Sequence, residues 1–114
     1  MSLTAPTVRV PRRKQSAAED QRVYRYVTAR DVSCRAPAIE LMRFSLAGVG
    51  MRFECSGPLE RHHAGNTIGS KRITDARHCV LLCRWHHATW APTHSRLILE
   101  YLARIEDARE KAAS

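Results

Sequence analysis

Five of the six histidines fall within the 26 residues from His62 to His87, and three of the four cysteines, Cys55, Cys79 and Cys83, lie among or beside them. That density constrains the fold more than any hydrophobic pattern does. A chain of 114 residues is expected to form one domain whose core is too small to be secure without a staple, either a metal or disulfides. No 18-residue apolar run offers a membrane span, and the first sixteen residues lack the continuous apolar stretch of a secretory signal. The expectation is therefore a soluble, intracellular, cytoplasmic protein with no membrane partner. In a reducing compartment cysteines beside histidines read as a metal site before they read as a disulfide framework.

Charge narrows the partner. Lys and Arg number 19 against 11 Asp and Glu, a formal net charge of +8, and sixteen of those cations are Arg. Residues 62–96 hold five cations and one acid, Asp75. A basic, nearly acid-free block rich in planar guanidinium groups suits phosphate contact, which makes nucleic acid the leading class of partner. Arg61, Lys71, Arg72, Arg77 and Arg84 are the candidates for that contact, each also readable as a plain solvated cation.

Along the chain, residues 1–16 hold Pro6, Pro11 and the run Arg12-Arg13-Lys14 without apolar periodicity, and read as a flexible basic arm. Residues 17–114 read as a single domain. Val23, Tyr24, Tyr26 and Val27 predict a helix over 17–30, although a short strand would accommodate the same residues. Residues 37–47 predict a helix stopped by Gly48. Leu59 to His63 reads as one strand and His78 to Cys83 as a second, followed by a helix from Arg84 that ends near Pro92. Leu97, Ile98, Tyr101, Leu102 and Ile105 predict a terminal helix over 93–112, capped by Thr93 or Ser95.

Cys83-x-x-His86-His87 is the strongest local pattern, because a thiolate and an imidazole three residues apart at a helix start can chelate one Zn²⁺. Cys55 and Cys34 would complete a Cys₃His structural site, with Cys34 the remotest ligand. Cys79 sits in an apolar run and reads as core. A swap of His86 and His87 stays open, as does recruitment of His62 or His87 to the zinc. His87 is rotated by about 100° from His86 on a helix and faces elsewhere. Neighbours on a strand face opposite ways, so His62 and His63 join His87 in one constellation only if the strand ends there, as Ala64-Gly65 permits. His94 reads as a surface or helix-start residue, and Trp85 and Trp90 as packing around the zinc knuckle.

Over residues 30–90 these segments resemble the HNH endonucleases of the ββα-metal fold. CSGPLERHH looks like that family's second zinc cysteine and a first strand ending in a His pair, and RHCVLLCRWHH like the second strand, the knuckle and the helix with the final H. The resemblance implies an α+β fold built on a small ββα-metal core stapled by zinc, with flanking helices. It places His62 and His87 as ligands of a catalytic divalent metal, Mg²⁺ or another, and His63 as general base. His78 stands where the family has Asn, a residue that ties the loop between the strands, and Cys34 replaces the nearer cysteine of the usual Cys-x-x-Cys pair.

What the resemblance implies is metal-assisted hydrolysis of DNA phosphodiester bonds, by nicking or double-strand cutting, with the scarcity of nearby acids suiting one metal completed by the substrate's phosphate. Small members of the family are common in phage genomes, so packaging or recombination proteins are expected partners and the host cytoplasm the expected location. The alternative is a non-catalytic, zinc-stabilised module with a degenerate site, binding nucleic acid or protein. A redox protein is disfavoured by the lack of a Cys-x-x-Cys pair.

Overall fold

A computed structural model describes residues 15–43, 54–65 and 73–113. Lys71 and Arg72, residues 1–14 of the basic arm and residues 44–47 of the expected second helix lie outside the described residues. The elements run α1 (Ala17–Asp31), α2 (Ala36–Arg43), β1 (Leu59–His63), β2 (Cys79–Cys83), α3 (Arg84–Thr89), a single 3₁₀ turn (Ala91–Thr93) and α4 (Ser95–Ala113). This is a small α+β fold around one two-stranded antiparallel sheet.

Helix α1 starts where Ser16 caps it. The Ser16 hydroxyl accepts from the Glu19 N–H and the Glu19 carboxylate accepts from the Ser16 N–H, a reciprocal box that satisfies two otherwise orphaned donors. Gln15 reaches the Thr74 carbonyl at 3.0 Å. Both residues were expected in the arm; hydrogen bonding draws them into the fold instead. The helix ends at a tight turn on Val32, whose φ of 67° is unusual for a β-branched residue, and the Ser33 N–H spans it to the Asp31 carbonyl at 2.7 Å. That turn aims Cys34 back at the sheet.

Strand β2 explains why the molecule holds together. All five of its residues are buried; alternation divides the first four between two cores, and Cys83, already the cap of the following helix, leaves the alternation to join the second. Cys79 and Leu81 pack with Val23, Tyr26, Val27 and Ala76 under α1. Val80, Leu82 and Cys83 pack with Ile39 of α2, Ala91, and Ile98 and Leu102 of α4. Burial pushes the Cys79 thiol up to about 12, so it stays a protonated core residue, as its apolar neighbours imply.

An ion network ties α1, β2 and α4 together. The Arg30 and Glu106 side chains are 1% exposed, and Arg30 gives all five N–H donors to buried acceptors: both oxygens of Asp31, one of Glu106, and the carbonyls of Ala76 and Cys79. Asp31 also accepts from the Leu81 N–H, and Tyr26 donates to Glu106 at 2.7 Å. Desolvation, with Glu106 beside it, pushes the Tyr26 phenol up to about 12.

Helix α4 begins at Ser95, with the Ile98 N–H on the His94 carbonyl at 2.9 Å, so His94 takes the cap position expected of Thr93 or Ser95. The Ser95 hydroxyl is spent on the Gly65 N–H instead. His94 is half-buried, stacked on Trp90 at 4.5 Å and 3.1 Å from Glu40.

Candidate metal centre and histidine cleft

Four ligand atoms converge between β2, α3, the turn after α1 and the segment before β1. The donor atoms of Cys34, Cys55, Cys83 and His86 all lie within 4.8 Å of one another. His86 Nδ1 stands 3.0 Å from Cys83 Sγ, 3.5 Å from Cys34 Sγ and 3.8 Å from Cys55 Sγ. Tetrahedral zinc with thiolates at about 2.3 Å and imidazole at about 2.0 Å requires sulfur–nitrogen separations of about 3.5 Å. The four residues could therefore hold a zinc ion. It is the one such group among the described residues.

Local backbone builds this knuckle. Cys83 caps α3, its sulfur accepting the His86 N–H at 3.4 Å. The Ser56 and Pro58 carbonyls accept the N–H groups of Trp85 and Arg84, holding the Cys55 segment against the helix start. Gly57 makes that approach possible: its φ is +88°, and a Cβ there would sit 2.8 Å from the Arg84 Cβ.

The four donors are tuned unequally. Burial, with the Cys34 and Cys83 sulfurs nearby, pushes the Cys55 thiol up to about 12. Burial also opposes ionisation of Cys83, yet backbone donors at His86 and Ser56 together with the Cys34 and Cys55 thiols outweigh it and hold that thiol below its ordinary range. Burial lowers the His86 pKa against the pull of Glu40, which leaves a neutral imidazole able to ligate. The choice between His86 and His87 is thus resolved in the geometry: His86 faces the thiols and His87 does not.

His87 turns toward β1. Its Nδ1 meets Glu60 Oε1 at 3.0 Å, and its ring lies 5.0 Å from that of His62. Glu60 also accepts from Arg84 at 3.0 Å, and the bonds from His87 and Arg84 hold its carboxyl below the usual range. Desolvation, together with the neighbouring His87 and His63, pulls the His62 imidazole down to about 4, so its ring is neutral at pH 7 with a lone pair to offer.

His63 lies on the other face. β1 does not end before it: His63 pairs with Cys79, and the Ala64 N–H extends the ladder to the His78 carbonyl at 2.7 Å. Alternation therefore puts Glu60 and His62 toward α3, and Arg61 and His63 toward α1. On that side His63 Nε2 is 3.1 Å from the Tyr24 hydroxyl, and the Arg61 guanidinium lies 4.1 Å over the Tyr24 ring. The two faces share one open cleft of about 760 Å³ that wraps the edge of β1 and is lined by His62, His63, His87, Glu60, Arg61 and Tyr24 among others.

The remaining expected site residues are dispersed. His78 Nδ1 binds Asp75 at 2.6 Å, and only the His78 backbone ties the end of β1. Arg77 pairs with Asp107 and Glu110 on α4. Trp85 and Trp90 both pack edge-on to His86, with ring centroids 4.9 and 6.0 Å away, as expected of packing around the knuckle, although the outer side of Trp85 leaves it 50% exposed. Sequence reasoning missed Glu60 and Tyr24. Glu60 was legible as the residue two before His62, on the same face of a strand, while Tyr24 had no local signal.

Comparison of the chain with family models, curated proteins and solved structures finds no significant match. Its features define a small α+β domain with a Cys₃His cluster suited to zinc and a histidine cleft beside it.

Proposed function

We propose that the protein is a metal-dependent endonuclease of HNH type that hydrolyses DNA phosphodiester bonds. The observation that carries this reading is the meeting of His62 of β1 and His87 of α3 at an open cleft whose other wall bears His63 and Arg61. His62, kept neutral, and His87, oriented through Nδ1 by Glu60, fit a divalent ion by donor chemistry, an imidazole backed by a carboxylate being a common metal-ligand arrangement. Such an ion would supply charge stabilisation at the scissile phosphate. His63 takes a proton from the attacking water, and Arg61 contacts the phosphate backbone. Zinc at Cys34, Cys55, Cys83 and His86 staples the unit.

A binding module without catalysis is the second reading, favoured by the placement of His62 and His63 on opposite faces of β1. Supercoiled plasmid with Mg²⁺, Mn²⁺ or Ni²⁺, with and without EDTA, distinguishes them. Metal-dependent nicking that His63→Ala abolishes is expected. If wild type and His63→Ala both shift DNA in a gel and neither nicks it, the binding module stands instead.

A further inference from the structure

We propose that Tyr24 of α1 is the positioning residue for His63, selecting through its hydroxyl the imidazole nitrogen that performs proton transfer. The inference rests on the endonuclease reading for its catalytic meaning, but its structural core does not. The Tyr24 hydroxyl and His63 Nε2 are 3.1 Å apart, and the rings meet edge to face at 80° with centroids 5.8 Å apart.

Three features make this contact more than a neighbourly one. Tyr24 cannot drift, because α1 is fixed beneath it by Val23, Tyr26, Val27 and the five bonds of Arg30. Its ring is clamped from above by Arg61, two residues before His63 on the same strand face. Tyr24 lines the same cleft as His62, His63 and His87, so the residue that orients His63 belongs to the site it serves.

An imidazole has two nitrogens, and the hydrogen bond at one sets the role of the other. When the phenol oxygen accepts from Nε2–H, the neutral ring has its lone pair on Nδ1, and Nδ1 is then the atom that takes the proton from water. The proton moves from water oxygen to Nδ1 as that oxygen bonds to phosphorus; the P–O bond to the 3′ oxygen breaks, the 3′ oxygen leaves with the electron pair and is protonated by solvent water, and the imidazolium keeps its Nε2–H bonded to Tyr24. Helix α1 lies almost wholly outside residues 30–90, so this places a working side chain on an element beyond the strand–strand–helix unit.

Tyr24→Phe tests the idea while keeping the ring, its packing and the Arg61 contact. Two readouts are needed. Nitrogen chemical shifts of His63 at pH 8, with zinc present, report the tautomer: wild type is expected to show Nε2–H with Nδ1 unprotonated, and Tyr24→Phe a mixture of tautomers. Steady-state nicking of plasmid is expected to lose about tenfold in kcat with KM changed less than about twofold, the size of effect typical of a lost orienting partner. His63 shifts that are identical in the two proteins overturn the proposal, as does a wild-type Nδ1–H tautomer. A rise in KM at constant kcat also overturns it, since Tyr24 would then only bind DNA. If wild type fails to nick under every metal, the endonuclease reading falls, and the tautomer measurement still decides whether Tyr24 sets His63.

Discussion

Gly57 and His62 show how single positions carry the site. Gly57 combines a left-handed φ with a 2.8 Å approach to the Arg84 Cβ, so Gly57→Ala strains the turn that brings Cys55 to the cluster. A loss of about 2 kcal/mol is expected, read as a lower urea midpoint at unchanged slope, together with weaker zinc retention against a chelator. His62 makes a different prediction. Its folded pKa of about 4 lies below the ordinary value of 6.5, so above pH 6.5 it costs nothing. As pH falls from 6.5 to 4 the unfolded chain takes up the proton and the folded one does not, so stability drops, by up to about 3 kcal/mol given the partial exposure of the ring. His62→Gln removes that share of the acid sensitivity while leaving the zinc ligands in place. Parallel pH–stability curves for wild type and variant would refute the assignment.

At the level of elements, helix α4 is held to α1 less by its apolar stripe than by one carboxylate. Glu106 accepts from Tyr26 and Arg30 in a site closed to water. Glu106→Ala leaves the Tyr26 phenol unpaired and takes one of the five acceptors from Arg30, whose counter-charge Asp31 stays in place, and about 2 kcal/mol of stability should go with it. Amide exchange in α1 and α4 is expected to accelerate together; acceleration in α4 alone would show the two helices to be uncoupled. The elements themselves were legible in sequence: β1 and the stripe of α4 fall where alternation and helical spacing put them. What escaped was pairing at a distance. Nothing near Arg30 announces Glu106, 76 residues away, or that an Arg and an Asp inside a helix would both be buried. β1 ends at His63 where Ala64-Gly65 was expected to end it, but His63 is still paired with Cys79, so the other strand, and nothing local, keeps the two histidines on opposite faces.

For the whole molecule, three separate stretches of chain meet at the Cys₃His cluster, and chelation should therefore undo more than a local knuckle. One zinc per chain is expected on metal analysis, and removing it should abolish the cooperative unfolding transition, with Cys34→Ser partway between. Less than one zinc with the fold intact would refute the site. Cys34 was the ligand hardest to read from sequence, since 20 residues separate it from Cys55 and only the turn at Val32 returns it to the sheet. The wide spacing of the ligands has a consequence for how the molecule behaves in a cell. With zinc as a fourth-order knot between distant segments, the folded fraction becomes a function of free metal: each tenfold fall in free zinc, at concentrations above the dissociation constant, subtracts about 1.4 kcal/mol from stability. Supply of the ion, rather than any change in the chain, would then set how much working protein exists.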